Sequence, residues 1–297
     1  MQNATQASAI MWRPHGRQVV PQNAPNTAVT ANTTMPLPAP ADTSRPDLSD
    51  RVVMVTGASG GLGEALARAF AAAGATVVLH GRVVRKLEAL YDSLVASGAP
   101  EPVILPLDLA KAEASDFANV AMALEAQFGR LDALVHTAVQ LGSLGPIEHQ
   151  SFDRWLTVLR VDLAAPMGLT RALVPLLAAS FDASVTFTLD TRGEDPRAYW
   201  GSYAAAKAGL SALATILADE WEQRDNLRVN AVVPGPIRSP LRTQTHPAEN
   251  ASALPPPEAL VPLYLHLASG QSKAESARRI DAQAWLAGAP SESSLLP

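Results

Sequence analysis

From residue 47 onward, short apolar runs alternate with stretches of helical pattern, and this alternation restricts the chain to one broad architecture. The runs fall at 52–56, 76–80, 103–106, 131–136, 184–189 and 227–233, too short for helices and rich in β-branched residues. Between them, helices are predicted over 61–73, 84–96, 112–128, 152–179 (with a bend at Pro166) and 202–223. A strand that is apolar along its whole length is buried on both faces, and an intervening helix lets the chain return in parallel. The predicted class is therefore α/β: a single doubly wound parallel sheet of Rossmann type, with helices on both faces, over 47–297. Right-handed crossovers then place any ligand at the carboxyl ends of the strands. Segment 277–285 lies where a last strand would run, and the proline-dense segment 234–257 reads as a long polar loop.

Composition narrows the function classes. At 297 residues the chain is long enough for one large domain with a complete core. A net charge of −5 argues against a nucleic-acid partner. The absence of cysteine rules out disulfides, thiolate metal sites and a cysteine nucleophile, and it suits a cytoplasmic location. Nothing else in the sequence implies a metal. No uninterrupted apolar run reaches the length of a membrane span, so neither a transmembrane helix nor a membrane partner is predicted. Residues 1–46 lack hydrophobic periodicity and are rich in Asn, Thr, Gln and Pro, which predicts a disordered tail. Two other readings of that segment are an over-long reading frame with its start near Met35 and, from Arg13 and Arg17, a transit peptide.

Two local patterns carry chemistry. Arg51 to Gly63 (RVVMVTGASGGLG) reads as a strand entering a glycine-rich turn that opens a helix. Gly57, Gly61 and Gly63 allow close backbone approach to a pyrophosphate, and the helix start offers free N–H groups and partial positive charge. Further along, Tyr203 and Lys207 (YAAAK) are one turn apart and share a helix face. An ammonium beside a phenol lowers the phenol's pKa, which suits a proton carrier near neutrality.

On these residues, with Asp108-Leu109 after the third strand and Pro234-Gly235 after the sixth, the chain resembles the short-chain dehydrogenase/reductase family over residues 47–286. The resemblance implies hydride transfer between a nicotinamide cofactor and a small carbonyl or alcohol substrate. Tyr203 would be the general acid/base, while Lys207 would support its phenolate and bind the nicotinamide ribose. Cofactor contacts are implied for Gly57, Ser59, Gly61, Leu62 and Gly63 at the turn, with Ser59 at the diphosphate. They are implied equally for Asp108 (at the adenine), Leu109, Pro234, Gly235, Ile237 and Ser239 (at the carboxamide). A homodimer or homotetramer is also implied, joined through the apolar stretches 169–179 and 204–217.

The end of strand two selects the cofactor. An acid there would accept from the ribose hydroxyls of NAD(H). This chain has Gly81-Arg82, and a guanidinium pairs with a 2′-phosphate that a carboxylate would repel. NADP(H) is therefore expected over NAD(H), a solvated surface arginine being the competing reading.

Three positions depart from the family pattern. Asp190 stands where the family has a serine, thirteen residues before Tyr203. Asp162 replaces an asparagine that holds a proton-relay water, and His136-Thr137-Ala138-Val139 replaces an Asn-Asn-Ala-Gly run. Losing a hydroxyl donor to the substrate oxygen costs on the order of 10²–10³ in rate. An ionised Asp190 at ~5 Å would also repel the Tyr203 phenolate by roughly 3 kcal/mol and raise its pKa. Four readings stay open. Asp190 is protonated by burial and donates; Thr191 or Thr188 supplies the hydroxyl; Asp162 and Asp190 form an acidic pocket for a cationic or amine-bearing substrate; or the chain binds NADP and catalyses little, as a sensor or scaffold. Tyr199 and Trp200 read as pocket-lining or packing residues, and His246 as a solvated histidine. Substrate choice is expected to reside in loops 142–150 and 234–257.

Overall fold

The computed structural model describes residues 46–273, 275–288 and 292–295; the tail expected over 1–46 lies, but for Pro46, outside them. Seven strands run parallel: β1 (Val52–Thr56), β2 (Thr76–Gly81), β3 (Val103–Pro106), β4 (Ala133–His136), β5 (Ala183–Thr188), β6 (Leu227–Val233) and β7 (Arg278–Asp281). Their order is β3-β2-β1-β4-β5-β6-β7, and β8 (Glu292–Ser294) joins β7 antiparallel at the edge. The chain winds outward to β3 and then returns to the far side of β1 with β4. That reversal opens a crevice above the carboxyl ends of β1 and β4.

The helices are α1 (Gly61–Ala72), α2 (Val84–Ala96), α3 (Ala114–Phe128), α4 (Phe152–Leu159) and α5 (Ala165–Ala178). After β5 come α6 (Thr191–Glu194), α7 (Gly201–Glu220), α8 (Pro240–Thr245), α9 (Val261–Ala268) and α10 (Ala282–Leu286). Alternate strand residues serve opposite faces of the sheet. Val53, Val55, Val77 and Leu79 pack with Leu66 and Phe70 of α1, Leu87 of α2 and Leu263 of α9. Val52, Met54, Val78 and Leu134 pack with Phe117 of α3, Leu169 and Leu173 of α5 and Leu210 of α7. The doubly wound sheet is thus as the sequence pattern predicts, with β8 as an addition.

Three segments differ from expectation. The bend in 152–179 is a π turn, Arg160–Ala164, in which the N–H of Ala165 reaches back to the carbonyl of Arg160. The next residue, Pro166, has no N–H and its ring clashes with a carbonyl four residues earlier, so a regular turn cannot close across Asp162. By length and composition Phe152–Ala178 could cross a membrane, contrary to expectation, yet Leu169, Leu173, Leu176 and Leu177 are buried in the core. Segment 277–285 is a shorter strand followed by a helix, because the Asp281 carboxylate caps α10 by accepting from the N–H groups of Gln283 and Ala284. The loop 234–257 contains α8, whose start is capped by Ser239 accepting the Arg242 N–H at 3.1 Å.

At the amino ends of the strands, on the side opposite the crevice, Asp182 before β5 is clamped between two arginines. Arg51 Nη2 lies 2.7 Å from Asp182 Oδ2, and the Arg228 guanidinium pairs with Oδ1. Arg228 is only 1% exposed, and burial, with the Arg51 charge behind it, pulls its pKa down to about 10.

Candidate active site

A cleft of roughly 830 Å³ opens above the carboxyl ends of the strands, between the glycine turn and the first turns of α7 and α8. Gly57 has φ +70°, and a Cβ there would stand 2.8 Å from Ala138 Cα. A Cβ on Gly63 would come within 2.2 Å of the Gly57 carbonyl oxygen. Only glycine fits either place, so the amino end of α1 opens directly into the cleft. The Gly60 N–H donates to Gly57 O at 2.9 Å, and the Ala58 N–H ties the turn to His80 O at 2.9 Å.

Ser59, Gly61 and Leu62 line the same end of the cleft. Exposed Arg82 and Lys86 stand beside them, and Arg82 has no ion pair among the described residues. Asp108 and Leu109 form the wall after β3, and Pro234, Gly235, Ile237 and Ser239 the wall after β6. Every residue predicted to bind cofactor therefore meets in one cavity.

Tyr203 and Lys207 occupy the first two turns of α7 at the other end, 2% and 4% exposed. The Tyr203 phenol donates to Asp190 Oδ2 at 2.9 Å. Asp190 caps α6, its Oδ1 accepting the Arg192 N–H at 2.8 Å, and Glu194 of α6 is paired with Arg279. The Lys207 ammonium donates to the Thr188 carbonyl at 3.0 Å. The Tyr203 pKa is raised well above the ordinary phenol value, first by burial, then by the charge and hydrogen bond of Asp190 and the charge of Asp162. The lowering expected from Lys207 is not realised, its ammonium being turned to the Thr188 carbonyl. The expected repulsion between Asp190 and the phenolate takes the form of a bond that keeps the phenol protonated.

Asp162 sits in the π turn, 1% exposed, and does not line the cleft beside Asp190. Its Oδ1 accepts the Gln140 N–H at 2.7 Å, while Oδ2 has no hydrogen-bond partner among the described residues. Burial pushes its pKa up to about 7, against the opposing pull of Lys207 and the Gln140 N–H. A pocket shared by both acids is therefore not formed. Of the two alternative hydroxyls, Thr188 Oγ1 is engaged with Tyr264 Oη at 2.9 Å, and Thr191 is exposed.

The run 136–139, which begins on the last residue of β4, is built into the floor. His136 stacks on Phe187 with ring centroids 5.0 Å apart, and its Nε2 lies 2.9 Å from Thr170 Oγ1. Burial lowers its pKa to about 3 and that of His80 to about 4. The Thr137 hydroxyl donates to Thr56 O at 2.5 Å.

Trp200, read as pocket-lining or packing, lines the cleft, and Arg192, Arg242 and His246 join it there. Trp200 lies with its ring 5.8 Å from that of Tyr203 and 6.2 Å from that of His246, beneath the Arg192 guanidinium at 5.0 Å. His246 is thus half-buried in the cleft wall rather than solvated, its Nδ1 2.8 Å from Thr245 Oγ1. Arg242 also lines the cleft but is held by Glu249 at 2.6 and 2.7 Å. Tyr199, 61% exposed, does not line it. Trp200 was legible in the sequence, three residues before Tyr203 at the start of one helix; His246 was not, because only the folding of 234–257 brings it in.

A doubly wound sheet whose switch-point cleft holds a glycine turn opposite a Tyr-Lys helix is the arrangement of the short-chain class of oxidoreductases. The family model for short chain dehydrogenase matches residues 51–250, and the chain belongs to that family. It is 36% identical over 236 residues to the uncharacterized oxidoreductase YciK of Escherichia coli, covering 80% of this chain and 93% of the relative. A short chain dehydrogenase structure from Pseudomonas syringae superposes with a TM-score of 0.78 at 40% identity, covering 80% of this chain and 97% of that one. Another, from Shigella flexneri and solved in complex with NADP, gives a TM-score of 0.78 at 35% identity, covering 80% and 99%.

Proposed function

We propose that this chain is an NADP(H)-dependent oxidoreductase acting at the carbonyl level of oxidation, on a ketone, aldehyde or imine carbon and its reduced partner. The observation that carries the reading is a single cleft with Arg82 and the glycine turn at one end and the Tyr203–Lys207 pair at the other. The turn and the amino end of α1 would hold the diphosphate, Arg82 with Lys86 the 2′-phosphate, Asp108 the adenosine and Lys207 the nicotinamide ribose. When bound, NADPH supplies hydride. The protein's own part is to fix Lys207 on the Thr188 carbonyl, to hold a proton on Tyr203 Oη, and to exclude water with Trp200 and His246.

A second reading, cofactor binding without turnover, is favoured by the bond from Tyr203 to Asp190, which engages the proton a developing alkoxide would need. Calorimetric titration with NADPH and NADH, followed by a substrate panel, separates the two. NADPH should bind tighter than NADH by about tenfold to a hundredfold, and Arg82→Ala should remove most of that difference. Equal affinities would return Arg82 to the solvated surface, and no affinity for either nucleotide would sink the proposal. A homodimer or homotetramer is proposed as the assembly. Met167 of α5 and Ile216 of α7 are exposed while their helices' other large apolar residues mostly pack inward; sedimentation tests it.

A further inference from the structure

The serine of the family pattern is a donor toward the substrate's polar atom, and Asp190 reverses that polarity. A carboxylate accepts only. Both Asp190 oxygens act as acceptors in this structure, Oδ1 from the Arg192 N–H at 2.8 Å and Oδ2 from the Tyr203 phenol at 2.9 Å. Asp190 has no ion pair among the described residues; the Arg242 guanidinium acts on it only from a distance. Lys207 is turned to the Thr188 carbonyl, Arg242 is held by Glu249, and Arg192 leans on Trp200 with Asp195 beside it. A carbonyl oxygen placed against Tyr203 would meet a carboxylate oxygen and find the phenol proton already engaged. An N–H placed there would find an acceptor and a counter-charge.

We propose that the group reduced in this site is a protonated imine, C=N–H⁺, with its N–H directed at Asp190; the inference rests on the NADP(H) reading above. The chemistry balances without a proton from the protein. The iminium carbon accepts hydride from the reduced dinucleotide, the C=N electron pair becomes the nitrogen lone pair, and the products are a neutral amine and NADP⁺. The amine then takes a proton from solvent. Tyr203, whose acidity is weakened by burial and by Asp190, is not asked to protonate an alkoxide. Its role is to hold the carboxylate in place.

The test uses a methylpyrroline as the imine and cyclopentanone as its oxygen analogue, with NADPH oxidation followed for each. In parallel, the saturated pyrrolidine is titrated calorimetrically into the protein with NADP⁺ present, a readout independent of turnover. The wild-type chain should reduce the imine with kcat/KM at least roughly tenfold above the ketone and should bind the amine. Asp190→Ser should invert the preference and weaken amine binding by about tenfold or more, with retained NADPH affinity as the check on folding. Asp190→Asn should lose imine reduction without gaining the ketone. Preferential reduction of the ketone, an unchanged ratio in Asp190→Ser, or NADPH binding with neither substrate consumed would each overturn the inference and leave the nucleotide reading standing. Absence of NADPH binding would overturn both.

Discussion

Tyr203 gives its phenol proton to Asp190 at 2.9 Å, while Lys207, one turn further along α7, gives its ammonium to the Thr188 carbonyl at 3.0 Å. The pair shares a helix face, but each member is bonded to a different position at the end of β5. Of its two charged neighbours the carboxylate, and not the ammonium, is bonded to the phenol, and it adds to the effect of burial. Asp190→Ser removes a negative charge and an acceptor, so the Tyr203 phenolate should form at lower pH than in the wild type. Ultraviolet difference titration, with Tyr203→Phe subtracting the other three of the chain's four tyrosines, measures the shift. An unmoved titration would mean that burial alone sets the phenol.

Asp162 gives a pH dependence of stability. Its folded pKa, about 7, lies above its unfolded value of 3.8, so the native state holds the proton more tightly between those limits. Stability contributed by the neutral acid is then lost as pH rises through that window. Asp162→Asn cannot titrate. Relative to the wild type it should gain about 2 kcal/mol between about pH 5 and about pH 8 in denaturant unfolding. A constant difference across that range would contradict the raised pKa.

His80 works in the opposite sense. It is 1% exposed, and neither ring nitrogen has a hydrogen-bond partner among the described residues. Its folded pKa of about 4 is below the ordinary 6.5, so the unfolded chain takes up a proton that the native state refuses as pH falls. His80→Leu should stabilise the protein, and the margin over wild type should widen by about 2 kcal/mol from about pH 7 to about pH 5. Parallel stability curves for the two proteins would count against a neutral buried imidazole.

Asp182 should be among the least replaceable polar residues. Removing its charge leaves Arg228 buried and Arg51 half-buried, both without their carboxylate. Asp182→Ala should cost about 3–5 kcal/mol. Asp182→Ala combined with Arg228→Leu should recover much of that loss, because the orphaned charge is gone. A double variant no more stable than the single would show that Arg228 is satisfied without Asp182.

The sheet was legible because its strands are apolar throughout and the helices between them keep their own period, so β1 to β6 could each be read from local residues alone. The glycine turn and the Tyr203–Lys207 spacing were legible for the same reason. What could not be read depends on contacts between distant segments. The Arg51–Asp182–Arg228 clamp joins three separate parts of the chain. Repulsion between Asp190 and Tyr203 could be foreseen, but the hydrogen bond that replaces it depends on the capping geometry that aims the carboxylate. His246 reaches the cleft only because Ser239 starts a helix within a segment that reads as an open loop.

The π turn at Arg160–Ala164 changes the phase between α4 and α5. An α-helix turns about 100° per residue, so a single extra residue rotates everything before it around the axis. α4 carries loop 142–150 with it: Val158 packs beneath Gly142, and the Arg154 guanidinium meets Ser143 Oγ at 3.3 Å. Deleting one residue from 160–164 would undo that rotation and swing the loop away from the mouth of the cleft. The direction in which the loop faces is thus geared to a miscount in the helix beneath the cleft.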